Sequence, residues 1–107
     1  MRFVVNETET AGQFSWWLVT DDDSDALAES ILSYPTLEKA RKAAAAFVLE
    51  AADERFAVAQ DDDTLWRWKA TRSTAPKARS AEGYASRFDA EQAAEAVRTG
   101  APSATLP

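Results

Sequence analysis

No cysteine and no histidine occur among the 107 residues. The first absence excludes a disulfide framework, a thiolate nucleophile and a zinc–thiolate site. The second removes the usual general base near neutral pH and the commonest metal ligand. Glycine is almost as scarce, with three residues in all, so no glycine-rich loop is available to cradle a phosphate. The longest apolar run, Ala43–Leu49, has seven residues, whereas a membrane-crossing helix needs about twenty. Neither an apolar signal core nor a small-residue cleavage site marks the opening "MRFVVNETET", and the expected location is cytoplasmic. These absences argue against an enzyme, a bound cofactor and a membrane partner.

The charge that is present is mostly negative. Eighteen acidic residues against twelve basic ones leave a net charge of −6, which opposes binding to nucleic acid because phosphate affinity is chiefly electrostatic. Arginine outnumbers lysine eight to four, a lysine-poor acidic balance that would suit a high-salt cytoplasm. Aspartate clusters at Asp21–Asp23 and Asp61–Asp63. Hard cations prefer carboxylate oxygens, but neither loop has the spaced ligands and central glycine of a calcium loop, so both read as solvated turns.

The sequence also repeats itself. A shift of 50 positions aligns Phe14–Ala57 with Thr64–Pro107 as 44 ungapped pairs, nine of them identical. Six identities are alanines and carry little weight; Trp16/Trp66, Ser30/Ser80 and Tyr34/Tyr84 carry more. A second shift, of 53, matches "RFVVN" from Arg2 with "RFAVA" from Arg55. The pattern predicts one domain, 1–107, of two pseudo-symmetric units, about 1–54 and 55–107.

Each unit reads alike. A short alternating strand carries Phe3 and Val5, or Phe56 and Val58, on one face. The tryptophan strand puts Phe14, Trp16 and Leu18 on the buried side, matched by Trp66 and Trp68. Its outer positions are Ser15, Trp17 and Val19 against Leu65, Arg67 and Lys69; the cations mark the wet face. A third strand is predicted over Ala26–Leu32 and Pro76–Glu82. Thr36 and Ser86 then stand as N-caps. Leu37, Ala40, Ala44, Phe47, Val48 and Ala51 recur at helical spacing, as do Ala90, Ala94 and Val97. Gly100 and Pro102 end the second helix. The chain turns extended again after each helix, as "ERFAVA" and "SATLP". A half of about fifty residues has too little core to stand alone; two halves joined on one sheet, each presenting its aromatics to its own helix, make a sufficient one, which places Trp16, Trp66 and Trp68 in the core.

The stretch "SAEGYASRFDAEQAAEAVRTGAPSATL" resembles the YegP-like family of small uncharacterised bacterial and archaeal proteins, through Ser80, Tyr84, Ala90 and Val97 together with Trp66 and Trp68. The first unit matches through Trp16, Leu18, Ser30, Tyr34, Ala40 and Phe47. It departs at Asp21–Asp25, at "ILSYP", and where Ser33 stands opposite Gly83. The resemblance implies an α+β fold of tandem β-β-β-α-β repeats sharing one antiparallel sheet, with helices on one face and closing strands exchanged between repeats. It implies an internal pseudo-dimer, and it implies no activity.

Two surfaces are candidates for function. Arg67, Lys69, Lys77 and Arg79 share the wet face if their strands form a hairpin, and Arg72 joins them from the loop. This basic island is a candidate site for an anion, a small ligand or a nucleic acid, but the net charge favours an ordinary solvated face paired with Glu29 or Asp21–Asp25. Trp17, Val19 and Leu27 form a candidate partner surface, for self-association, a homodimer or an unknown protein. The hydroxyls of Ser30, Tyr34, Ser80 and Tyr84 lack an adjacent base and read as packing groups. The leading expectation is a non-enzymatic interaction or accessory module.

Overall fold

A computed structural model describes residues 1–72 and 75–107. Strands β1 (Arg2–Glu7), β2 (Phe14–Val19) and β3 (Ala26–Ser30) precede helix α1 (Leu37–Glu50). Strands β4 (Arg55–Gln60), β5 (Trp66–Arg72) and β6 (Ala75–Ser80) precede helix α2 (Arg87–Gly100). All six strands lie in one antiparallel sheet, in the order β1-β2-β3-β6-β5-β4. The two halves therefore meet along β3 and β6, where Glu29 faces Arg79.

Both helices begin on the expected hydroxyls. The Lys39 amide donates to Thr36 Oγ1 and the Asp89 amide to Ser86 Oγ, each at 3.1 Å. Each bond satisfies an amide that has no partner inside the helix. Thr36→Ala and Ser86→Ala should each lower the unfolding free energy by about 1 kcal/mol, read from the urea midpoint at unchanged slope.

Ala40, Ala44 and Phe47 of α1, and Ala90, Ala94 and Val97 of α2, are buried as their spacing predicts. Leu37 is more open, at 37% exposure, because it starts its helix at the rim. α1 packs on β1 and β2, and α2 on β4 and β5. A 3-10 turn after each helix crosses to the other: Ala51–Asp53 packs on α2, and Ala101–Ser103 on α1. The core between helices and sheet is aromatic. Phe3 meets Trp16 edge-on at 5.4 Å, Trp16 stacks on Phe47 at 5.0 Å, and Phe56 lies 5.2 Å from Trp68.

The register differs from the ungapped alignment. Phe14 bridges Tyr34 and Trp66 bridges Tyr84; the Trp16 amide donates to Ser30 Oγ and the Trp68 amide to Ser80 Oγ. Trp16 therefore corresponds to Trp68, and Phe14 to Trp66, a shift of 52 along this strand where the serines and tyrosines keep 50. The β5–β6 hairpin is two residues shorter than the β2–β3 one, which absorbs the difference. Trp66 consequently stands at the margin. It is half-buried, with the Arg87 guanidinium 5.6 Å above its ring, whereas Trp16 and Trp68 are fully enclosed.

Two further expectations shift. The third strands end at Ser30 and Ser80 rather than at Leu32 and Glu82, since the next residues leave the ladder before Tyr34 and Tyr84 rejoin it. The closing segment "SATLP" forms no strand. Thr105 makes a single parallel bridge to Arg2, with the Phe3 amide donating to the Thr105 carbonyl at 2.8 Å.

Candidate functional site

With both helices on one face, the other face of the sheet is uncovered. Period-two alternation assigns it Val4 on β1, Trp17 on β2, Glu29 on β3, Arg79 on β6, Arg67 and Lys69 on β5, and Ala57 and Ala59 on β4. Cross-strand pairing agrees: Trp17 stands opposite Val4 and Glu29, and Lys69 opposite Ala57 and Arg79. An open groove of about 610 Å³ runs over the second half, lined by Glu29, Ala57, Ala59, Arg67, Lys69 and Arg79.

The five-residue basic island does not assemble as expected. A β-bulge between Ala70 and Thr71 leaves Lys77 without a directly opposed residue, and such an insertion breaks the alternation of faces. Lys77 accordingly does not follow Arg79 outward. It lines a cavity on the helix side with Trp16, Tyr34 and Phe47. Arg72, just past the bulge, is drawn to Glu50 at the end of α1, 3.9 Å away. Only Arg67, Lys69 and Arg79 remain on the outer face, and two of these already hold carboxylates. Arg67 is paired with Asp61 and, at 3.9 Å, with Asp63; Arg79 Nε donates to Glu29 Oε1 at 3.0 Å. Among the described residues Lys69 has no carboxylate within 4.0 Å.

The apolar candidates divide in the same way. Trp17 is half-buried on the outer face, where its indole Nε1 donates to Glu29 Oε2 at 3.3 Å. Glu29 thus ties Trp17 to Arg79 across the seam. Val19 lies beside it, opposite Arg2. Leu27 occupies the first half's bulge, at the position matching Lys77, and packs partly buried against the core. It therefore does not extend the Trp17 surface.

The acidic triplets act locally. Asp22 accepts from the Thr20 hydroxyl and from the Ser24 hydroxyl and amide, which holds its carboxyl down at about 2. Asp21 meets the N-terminal amine at 2.8 Å, Asp23 pairs with Arg2, and Asp63 accepts from the Leu65 amide. Ser30 and Ser80 are acceptors for strand amides, a packing role.

One group was not singled out from the sequence at all. Glu54, at the end of the 3-10 turn that follows α1, is 6% exposed, and among the described residues neither carboxylate oxygen has a hydrogen-bond partner. Burial, reinforced by the charge of Glu50, pushes its carboxyl up to about 7, although Lys77 and Arg72 pull the other way. It lines the same cavity as Lys77, with Glu50, Tyr34, Trp16 and Phe47. A signal existed in the repeat: positions 54 and 104 pair glutamate with alanine, and 50 and 100 pair glutamate with glycine.

No family model matches the chain, and no curated protein matches it in sequence. Among solved structures it is similar to the solution NMR structure of yegP from E. coli, a protein of unknown function. The TM-score is 0.77, with 97% of this chain and 88% of that one covered at 17% identity. The six-stranded antiparallel sheet with its two helices is thus a YegP-like fold.

Proposed function

We propose that this is a non-enzymatic binding module that uses the helix-free face of its sheet to contact a protein partner. The observation that carries the reading is the continuity of that face: apolar Val4, Trp17 and Val19 on one half, Ala57 and Ala59 on the other, and Lys69 on β5 with no carboxylate within 4.0 Å among the described residues. Such a surface suits a partner that offers an apolar side chain to Trp17 and a carboxylate to Lys69. An anion or nucleic-acid site is the weaker reading, since Arg67 and Arg79 are already neutralised within a chain of net charge −6.

We also read the two halves as copies of one β-β-β-α-β unit, making the monomer an internal pseudo-dimer. The matched caps, tyrosine bridges and serine acceptors support a duplication. The crossing 3-10 turns and the Thr105–Arg2 bridge support an exchange of closing segments between the copies.

Immobilised wild-type protein should retain partner proteins that the folded double variant Trp17→Ala, Lys69→Glu does not. Retention of the same proteins by both would overturn the assignment of the face. In filter binding across salt, single-stranded nucleic acid should show no retention at physiological ionic strength. Tight retention falling steeply with salt would favour the anion reading instead.

A further inference from the structure

The cavity beneath α1 carries chemistry that the fold does not require. It is bounded by Glu54 and Glu50, by Tyr34, and by the stacked rings of Trp16 and Phe47. The corresponding region of the second half has Ala104 for Glu54, Gly100 for Glu50, Leu27 for Lys77 and Val97 for Phe47. There Leu27 and Ala104 pack against the core, and the Met1 side chain closes on Gly100, where an added Cβ would lie 2.6 Å from its sulfur. The same architecture is thus filled with apolar atoms on one side and left open around an orphaned carboxylate on the other.

A buried carboxylate with two unpartnered oxygens is expensive unless something supplies positive charge or protons. The protein's own cations do not complete it. Arg72 is engaged with Glu50, and exposed Lys77 makes no ion pair with Glu54 among the described residues. The space is about 80 Å³, against roughly 30 Å³ of liquid volume for one water. That is room for a head group of a few heavy atoms. Aromatic faces next to carboxylates are the surroundings in which alkylated ammonium groups bind, the rings attracting the cation while the carboxylate neutralises it. Glu50, at 30% side-chain exposure, and exposed Lys77 give the cavity a solvent-facing mouth.

We propose that this cavity binds the head group of a small organic cation, a protonated alkylamine or its N-methylated form, with Glu54 as counter-ion and Trp16, Tyr34 and Phe47 as walls. Lys77 at the mouth is a competing cation whose removal frees the site. The test is titration of the whole protein with methylammonium and trimethylammonium chloride, following tryptophan fluorescence and melting temperature, with sodium chloride at equal ionic strength as the reference. A saturable change beyond the sodium effect is expected, lost at least tenfold in affinity in Glu54→Gln and strengthened in Lys77→Met. Circular dichroism of both variants confirms that they fold. No saturable change in either wild type or Lys77→Met overturns the proposal, as does a response that survives intact in Glu54→Gln.

Discussion

Trp68→Ala and Trp16→Ala should each remove about 3–5 kcal/mol of stability, while Trp66→Ala removes about 1–2. Trp16 and Trp68 are the largest side chains with less than 2% exposure, and they occupy corresponding places, each donating its backbone amide to the third strand's serine hydroxyl. Truncating either leaves a void between the sheet and a helix whose buried face is mostly alanine, with one larger residue in each, Phe47 or Val97, and alanine cannot move in to fill it. Trp66 is already at the rim, and its loss forfeits partial burial and the Arg87 contact, the latter about 0.5–1 kcal/mol. In thermal unfolding the first two variants should melt about 15 °C or more below wild type, given the entropy of unfolding of a domain this size. Equal losses at Trp66 and Trp68 would contradict the register derived from the serine and tyrosine bonds.

This contrast also shows where sequence reasoning stopped. Period-two alternation and helical spacing identified the faces of β1, β2, β4 and β5 and both helix stripes, because burial selects side-chain type directly. Thr36 and Ser86 were legible for the same reason: a cap is a local bond between a hydroxyl and an amide three residues on. The strand register was not. It is decided by backbone pairing, and an ungapped alignment rewards Trp16 with Trp66 although hydrogen bonds couple Trp16 to Ser30 and Trp68 to Ser80. The bulges at Leu27 and Lys77 were equally invisible, since a bulge adds a residue without altering composition. One such residue is enough to carry Lys77 from the outer face to the core side, and with it the expected basic island dissolves. Glu54 escaped because a single carboxylate in "ADERF" looks like any surface acid. Only its pairing with Ala104 hints that one half is polar where the other is apolar.

Glu54→Gln should make the protein more stable at pH 8 by about 2–3 kcal/mol and should flatten its stability between pH 5 and 8. The sign follows from proton counting. The carboxyl titrates near 7 in the folded protein and near its ordinary 4.5 when unfolded, so between those values the native state holds a proton that the unfolded chain has released. Stability contributed by this group is therefore complete below pH 4.5, declines as the pH rises, and is fully lost above 7. The rise from 4.5 to about 7 corresponds to roughly 3 kcal/mol, since each tenfold change in proton affinity is worth about 1.4 kcal/mol. At 6% exposure and flanked by Glu50, Glu54 is only weakly screened by water. Glutamine keeps the shape and removes the ionisation, so urea denaturation at pH 5 and pH 8 should give a steep difference for wild type and little for the variant. Persistence of the wild-type slope in Glu54→Gln would place its source elsewhere. Because that slope comes from the burial of the carboxyl and the charge of Glu50, it tests the setting of Glu54 whether or not any cation enters the cavity beside it.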